Sequence, residues 1–183
     1  MLENKFVLAD PGTCIGCKTC MAACLVKHFN KNDIPLPRLN LVQTVTVSAP
    51  ILCHHCDDAP CVASCPVGAL YFDGGRVAVS AERCIGCKSC EMACPFGAVE
   101  IKSRSNQVSL GSINVSTAPQ PFPVKCDLCA DRPEGPCCIE ACPTNSLHLV
   151  DREVRTDNLK RKRVEAAQAE ESISSVPLTA TIA

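Results

Sequence analysis

The segment CIGCKTCMAAC at residues 14–24 recurs as CIGCKSCEMAC at residues 84–94, and these two copies decide how the chain folds. They are identical at eight of eleven positions, which indicates a duplicated structural unit. Each copy spaces three cysteines as C-x2-C-x2-C and adds a fourth after three more residues. Thiolates at the first three positions suit three corners of one [4Fe–4S] cube, and the fourth suits the second cluster of a pair.

Two more cysteine groups of related spacing give the chain four motifs. Motif 1 contains Cys14, Cys17, Cys20 and Cys24; motif 2 contains Cys53, Cys56, Cys61 and Cys65; motif 3 contains Cys84, Cys87, Cys90 and Cys94; motif 4 contains Cys126, Cys129, Cys138 and Cys142. A proline follows the last cysteine of every motif except the first. Because proline ends a helix, we expect the helix of motif 1 to continue toward His28.

The segment between motifs 2 and 3 predicts which motifs share clusters. The strand-like runs LYF (70–72) and RVAV (76–79) flank Asp73-Gly74-Gly75, which is typical of a tight hairpin turn. A hairpin between two cysteine motifs is typical of a two-cluster ferredoxin, so motifs 2 and 3 are expected to form an inner unit, residues 49–101. Its site III comprises Cys53, Cys56, Cys61 and Cys94, and its site IV comprises Cys84, Cys87, Cys90 and Cys65.

Motifs 1 and 4 are then expected to form an outer unit, residues 1–48 with 124–151, into which the inner unit is inserted. KFVLAD (5–10) and SLHLVD (146–151) predict its edge strands. Its site I comprises Cys14, Cys17, Cys20 and Cys142, and its site II comprises Cys126, Cys129, Cys138 and Cys24. The expected fold is α+β, with two bacterial-ferredoxin-like units that hold four [4Fe–4S] clusters.

One of the 17 cysteines is left over, and it is either Cys137 or Cys138. Cys138 keeps the C-x3-C spacing to Cys142 that the other motifs show, whereas Cys137 does not. We therefore predict Cys138 as the ligand and Cys137 as a buried free thiol.

Disulfides and zinc are the competing explanations for so many cysteines. The count is odd, the cysteines lie in tight runs, and no signal peptide is visible, so we expect reduced thiols and a cytoplasmic protein. A zinc site usually takes two cysteines from each of two knuckles, whereas each run here supplies three close cysteines and a distant fourth. Iron–sulfur clusters fit this spacing better than zinc.

The composition leaves little for an apolar core. Hydrophobic residues make up 46% of the 183 residues, but that fraction includes the cysteines, and aromatic residues make up only 3%. Metal clusters are therefore expected to hold the fold together. The formal charge of −1 does not indicate a basic surface that would bind nucleic acid. Four clusters of about −2 each would bring the total charge to about −9.

Histidines and aspartates near the motifs are not expected to be ligands. His54 and His55 lie between two cysteines of motif 2, and we expect them to donate to cluster sulfur or to bond the backbone. His28 and His148 are expected to be ordinary surface or core residues. The remaining candidates, which are expected to be solvated turn residues, are Asp57, Asp58 and Asp73.

Two segments lie outside the units. Residues 102–123 predict a connecting loop in which QVSL and INVS pair as brief strands. Residues 152–183 predict a C-terminal arm, with Asp157 capping a helix through LKRKRVEAAQAEES. Its basic residues precede its acidic ones, which opposes the helix dipole. The arm is therefore either held by a partner or a solvated tail.

Three segments carry a resemblance to a known family: SAPILCHHCDDAPC (48–61), RCIGCKSCEMACPFGAVE (83–100) and VKCDLCADRPEGPCCIEACPTNSLHLVD (124–151). They resemble the four-cluster ferredoxin-type subunits of molybdopterin oxidoreductases, in particular the electron-transfer subunits of formate hydrogenlyase and hydrogen-dependent CO2 reductase. The resemblance extends over about residues 4–152. In such relatives an alanine stands at the position of Cys137.

The resemblance implies a non-catalytic subunit that conducts electrons between a molybdenum or tungsten formate dehydrogenase and a hydrogenase. A second polyferredoxin subunit, and a higher-order or filamentous assembly through the C-terminal arm, are further hypotheses about partners. No apolar run is long enough to span a membrane, so membrane association is expected only through partners. A diffusible polyferredoxin and an accessory protein for formate dehydrogenase maturation are the alternatives.

Overall fold

The computed structural model describes residues 4–29, 35–105, 107–110, 113–116 and 118–174, which form an α+β fold of short elements. The strands are β1 (Phe6–Ala9), β2 (Asn40–Gln43), β3 (Ser48–Ile51), β4 (Leu70–Asp73), β5 (Arg76–Val79), β6 (Glu100–Arg104), β7 (Gln107–Leu110), β8 (Ile113–Ser116), β9 (Gln120–Val124) and β10 (Leu147–Val150). The helices are α1 (Thr19–Lys27), α2 (Pro60–Ala63), α3 (Ser89–Ala93), α4 (Cys137–Glu140) and α5 (Arg152–Ser174), with a 3₁₀ turn at Ala81–Arg83.

The described strands pair two by two in antiparallel sheets. The predicted hairpin between motifs 2 and 3 is confirmed, with β4 paired to β5 and a turn in which Gly74 and Gly75 both have positive φ. The two strands predicted at the ends of the outer unit also pair, with Phe6 opposite Val150 and Ala9 opposite Leu147. Among the described residues, the first strand therefore lies beside the last one.

The prediction of a connecting loop over residues 102–123 is wrong at both ends. β6 pairs with β9 from Glu100 opposite Val124 to Arg104 opposite Gln120, and the predicted pair QVSL and INVS forms β7 and β8 between them. Pro121 and Pro123 favoured a loop in the sequence. They stand at alternate positions of an edge strand, where the missing N–H groups point away from the partner.

Pairs of short helices lie beside the cysteine motifs. α1 packs against α4, and α2 packs against α3. α1 continues through Lys27 to a cap at His28, as the missing proline predicts, whereas α3 ends at Ala93, two residues before Pro95. α2 begins with Pro60 in its first turn. The backbone N–H that proline lacks would have no hydrogen-bond partner within the helix at this position.

Cysteines form much of the buried core, as the thin apolar composition predicts. One buried group combines Val7, Leu39, Leu52 and Leu147 with several cysteines of motifs 1, 2 and 4. A second group combines Ala59, Leu70, Val77 and Val99 with Cys61 and Cys90. The aliphatic side chains fill the spaces between cysteine motifs and do not form a separate core.

The C-terminal arm is helical over its described part, and residues 175–183 lie outside the described residues. Its predicted cap at Asp157 is wrong, because the helix begins at Arg152 and Asp151 Oδ1 accepts a hydrogen bond from Val154 N at 2.9 Å. Arg155 reaches Asp57 of the body at 3.8 Å. Among the described helices, none is both long and apolar enough to cross a bilayer.

Substitution of Leu70 tests how much the buried aliphatic side chains contribute to the stability of the fold. It is 2% exposed, whereas Leu149 is 41% exposed. Leu70→Ala is expected to lower the free energy of unfolding by about 2–5 kcal/mol, because it removes buried methyl groups and leaves a cavity. The control Leu149→Ala should change it by about 0.5 kcal/mol or less. Anaerobic denaturant titration followed by circular dichroism measures both, and equal losses would contradict the assignment of Leu70 to the core.

Candidate iron–sulfur sites

The four cysteines of site I surround one small cavity. Cys14 and Cys17 come from the loop before α1, Cys20 comes from α1, and Cys142 follows α4. The repeat places site IV in the same way, with Cys65, Cys84, Cys87 and Cys90 around a second cavity. At each of these two sites the structure thus brings together all four cysteines predicted for it.

The loops of sites I and IV have the same conformation. Gly16 and Gly86 have φ of 68° and 73°, and Lys18 and Lys88 have φ of 63° and 62°. Glycine adopts this region without strain, and a Cβ at Gly86 would lie 2.9 Å from Pro121. The sequence repeat is therefore a conformational repeat, in which a left-handed turn brings three thiols of the loop toward one point.

Site III is buried more deeply. Burial is the main cause that raises the pKa of Cys61 to about 11, and Cys53 and Cys94 add to the shift. Burial also raises the pKa of Cys56, with the same two cysteines contributing. Cys94, which comes from motif 3, packs against the same buried group as Cys56 and Cys61 of motif 2.

Site II joins motif 4 to α1. Burial raises the pKa of Cys138, with contributions from Cys126, Cys137, Cys24 and Cys129. Burial likewise raises the pKa of Cys126 to about 12 and that of Cys24, which Cys129 also influences. Cys138 therefore lies within electrostatic reach of the other three cysteines predicted for this site and of Cys137.

The last cysteine of each motif accepts a backbone hydrogen bond at its sulfur. In motifs 2, 3 and 4 the donor is the amide four residues later, and the N–Sγ distances are 3.2 Å for Ala69 to Cys65, 3.4 Å for Ala98 to Cys94 and 3.4 Å for Ser146 to Cys142. Proline turns the chain after these cysteines, so the amide is free to reach the sulfur. Such N–H···S bonds stabilise a thiolate.

In motif 1 the sulfur of the last cysteine accepts its hydrogen bond from a more distant amide. Because α1 continues past Cys24, the amide of His28 bonds Cys24 O at 3.1 Å and is not available to the sulfur. The amide of Arg38, fourteen residues later, donates to Cys24 Sγ at 3.2 Å instead. The sequence did not indicate this donor, since no local spacing connects the two residues.

The protonation of the thiols fits a metal-binding role. Burial raises the pKa of Cys20 and Cys90, which are the third cysteines of their motifs. At the surface, hydrogen bonds with Thr19 and Ser89 lower the pKa of Cys17 and Cys87. Buried thiols stay protonated at neutral pH, so a bound metal must displace protons from them. Groups of four thiols, which are soft ligands, suit iron–sulfur clusters.

Cys137 is half-buried, which differs from the predicted buried thiol. Its Sγ lies 3.7 Å from Cys129 Sγ, and burial is the main cause that raises its pKa to about 12. Cys138 is only 4% exposed and belongs to the buried core beside Cys126. The structure therefore brings both cysteines close to site II, with Cys138 on its buried side.

The histidines have more specific contacts than the sequence suggested. His54 stacks between Phe6 and Phe96, with ring centroids 4.8 Å and 3.8 Å away. His55 is buried, and its Nδ1 accepts a hydrogen bond from Val77 N at 3.1 Å. Burial is the main cause that lowers the pKa of His55 to about 3, so the ring is neutral at physiological pH. His55 thus bonds the backbone, as one of the two expectations stated.

His28, which was expected to be an ordinary surface or core residue, also lies near site II. Its Nε2 lies 3.9 Å from Cys129 Sγ and 3.4 Å from Asp127 Oδ1, a juxtaposition that could also hold a metal ion. The one available signal was the missing proline, which lets α1 extend this far. By contrast, His148, Asp57, Asp58 and Asp73 are exposed, and Asp73 pairs with Arg76 in the hairpin turn.

Comparison with known proteins identifies the family to which these motifs belong. A model of the 4Fe–4S dicluster domain matches residues 44–152, and a second model with that description matches residues 13–70. The chain belongs to the 4Fe–4S dicluster domain family. This membership confirms that the cysteine motifs are of the [4Fe–4S] type.

The relatives agree with the resemblance predicted from the sequence. Electron transport protein HydN of Escherichia coli is 45% identical over 157 residues, covering 81% of this chain and 89% of the relative. Formate hydrogenlyase subunit 2 of the same organism is 41% identical over 179 residues, covering 87% and 88%. Hydrogenase-4 component A is 37% identical over 186 residues, covering 90% and 91%. The predicted similarity to ferredoxin-type subunits of formate hydrogenlyase is therefore confirmed.

Separate substitution of Cys137 and Cys138 distinguishes the cluster ligand from the free thiol. Cys138→Ser is expected to remove one cluster or convert it to a three-iron form, because it takes a thiolate from the buried side of site II. Cys137→Ser should leave the cluster content unchanged. Iron and acid-labile sulfide analysis with EPR spectroscopy measures both variants after anaerobic purification. The reverse pattern would make Cys137 the ligand.

Proposed function

We propose that this chain is an electron-transfer protein that holds four [4Fe–4S] clusters at sites I–IV and does no bond-making chemistry itself. The observation that carries the proposal is the gathering of cysteines from different motifs, around one cavity each at sites I and IV and in buried groups that contain most cysteines of sites II and III. The relatives named as an electron transport protein and as hydrogenlyase and hydrogenase components support the same role.

The proposed organisation is two nested units. Pairing of β1 with β10 and packing of α1 on α4 support an outer unit of residues 1–48 and 124–151. Pairing of β4 with β5 and packing of α2 on α3 support an inner unit of residues 49–101. The segment of β6 to β9 then connects the inner unit back to motif 4.

The sites are proposed to follow the order I, II, III, IV along one path. α1 carries Cys20 of site I and Cys24 of site II, so these two sites share a helix. Cys90 of site IV and Cys94 of site III are likewise four residues apart. Cys53 and Cys126 belong to one buried group, and this proximity supports a junction between sites III and II.

The two ends of this path are the proposed points where electrons enter and leave. Cys17 of site I and Cys87 of site IV are exposed, whereas sites II and III contain no fully exposed cysteine. Large apolar side chains surround these ends, with Ile15 65% exposed, Ile85 60% and Met92 87%. Exposed apolar groups next to a redox site suit protein partners that dock there.

The proposed partners are a formate dehydrogenase catalytic subunit at one end and a hydrogenase subunit at the other, in the cytoplasm, where thiols stay reduced. The support is the similarity to formate hydrogenlyase subunit 2 and hydrogenase-4 component A. A diffusible carrier is the second candidate, and the similarity to a protein named only for electron transport favours it.

The exposed arm is proposed to hold neighbouring subunits together, including copies of the complex in a larger assembly. Most described side chains of α5 are exposed, and ion pairs such as Lys160–Asp157 and Arg161–Glu165 lie along the helix itself. A helix that is polar on all sides gains little from packing on its own body and suits a bridge between molecules.

Anaerobic purification with iron and acid-labile sulfide analysis tests the cluster content. Four clusters predict about 16 iron and about 16 sulfide per chain. A value of about 8 of each, or stoichiometric zinc, would contradict the proposal. In the same preparation, a stable equimolar complex with a formate dehydrogenase supports a fixed conducting subunit, whereas transient association supports the diffusible carrier.

Truncation after Asp151 tests the arm. The shortened chain should keep all its clusters, because no cysteine follows Cys142, but its complex should form smaller particles in light scattering. The control is a double substitution within the arm, Lys160→Gln with Asp157→Asn, which removes one internal ion pair and keeps the helix. An unchanged particle size after truncation would refute the proposed role in assembly.

A further inference from the structure

Lys125 is a buried cation at the junction between motif 4 and the β4–β5 hairpin, called here the inner hairpin. The residue is only 3% exposed, and it immediately precedes Cys126 of site II. Its Nζ donates hydrogen bonds to Val77 O at 2.6 Å and to Cys126 O at 2.7 Å. Because Val77 belongs to β5 and Cys126 to motif 4, the side chain bridges the two proposed units.

The ammonium group has no acidic partner among the residues that the structure describes. Neighbouring basic groups differ in this respect, since Arg38 pairs with Asp127 and Arg76 pairs with Asp73. Both bonds of Lys125 go to neutral carbonyl oxygens, and an ammonium has three N–H donors. A buried charge without a counter-charge is strongly unfavourable, so a nearby anion should compensate it.

The candidates for this anion are the thiolates of sites II and III. Lys125 Nζ bonds the backbone oxygen of Cys126, and Val77, whose carbonyl accepts its other bond, packs with Cys61 in one buried group. Cys61 belongs to site III and Cys126 to site II. One ammonium group therefore lies within electrostatic reach of ligands from two different sites.

We propose that Lys125 is a fixed positive charge shared by sites II and III, which raises the reduction potentials of the two clusters held there. The inference rests on the cluster assignment under the proposed function. One-electron reduction adds one negative charge to a site and breaks no bond. A cation in the low-dielectric interior stabilises the reduced form more than the oxidised form, so the potential rises.

The end sites have lysines of a different kind. Lys18 lines the cavity of site I and Lys88 lines that of site IV, but both are exposed. Water and salt screen an exposed charge, so its effect on a nearby site is weaker than that of a buried one. Lys125 therefore distinguishes the two interior sites from the two end sites.

Redox titration of the full chain, purified anaerobically with its clusters and followed by EPR, tests the role of Lys125. Lys125→Gln removes the charge and keeps a hydrogen-bond donor. Two of the four clusters should then show a reduced-to-oxidised ratio at least tenfold lower at a fixed potential, which equals about 59 mV for a one-electron couple. The other two should not change. Lys125→Arg, which keeps the charge, should leave all four midpoints near those of the unsubstituted protein.

Lys102→Gln is the matched control, because it removes an equal charge from a 42% exposed lysine in an ion pair with Glu100. It should shift none of the four midpoints. The inference is overturned if Lys125→Gln also shifts none, if it shifts all four equally, or if the Gln and Arg variants shift them alike. The last result would assign Lys125 a purely structural role.

Iron analysis of each protein separates this inference from the proposed function. An unsubstituted chain without about 16 iron contradicts the cluster assignment itself. If Lys125→Gln loses clusters, the loss should be confined to half of the iron, and Lys125→Arg should restore the full content. Failure of the Arg variant to restore it would overturn the inference, because the charge would then not be the property that matters.

Discussion

The burial of thiols between pairs of short helices is the interaction on which the rest of the structure depends. Cysteines with C-x3-C spacing are one helical turn apart and lie on the same helix face. Packing α1 on α4 therefore turns Cys20 toward one group of thiols and Cys24 toward the next. Burial raises the pKa of both thiols, so folding of these helix pairs and deprotonation by a bound metal are linked.

A single missing proline shapes the environment of site II. Without it α1 continues to a cap at His28, which brings the His28 ring to Cys129 and Asp127. The amide that serves the sulfur in the other motifs is used inside the helix, and the Arg38 amide takes its place. Asp127 in turn pairs with the Arg38 side chain. One local difference between otherwise similar motifs thus recruits residues that are far away in sequence.

The distribution of burial separates the interior of the proposed path from its ends. Motif 4 and the inner hairpin are joined by Lys125, which bonds Val77 O, and by Arg76, which bonds Asp127 O at 3.2 Å. Lys125 itself is buried, and a fixed charge acts more strongly in a buried position than at the surface. At the ends, exposed cysteines and apolar side chains face solvent, where a partner can approach closely.

The sequence by itself determined the type of site and the local elements. Cysteine spacing indicated the [4Fe–4S] motifs, the Asp73-Gly74-Gly75 turn predicted the β4–β5 hairpin, and the absence of proline predicted the longer α1. These features depend on neighbours within a few residues, which a sequence displays directly. The pairing of β6 with β9 was missed because the prolines in β9 are compatible with an edge strand only when its partner is known.

Only the tertiary structure decided which distant groups meet. The Arg38 amide at Cys24, the His28 ring at Cys129 and the Lys125 ammonium at Val77 each connect residues separated by fourteen or more positions. No spacing rule encodes such contacts, because they arise from how helix pairs and hairpins pack. The sequence therefore determined that the cysteine motifs are of the [4Fe–4S] type, and tertiary packing decided which hydrogen bonds and charges surround them.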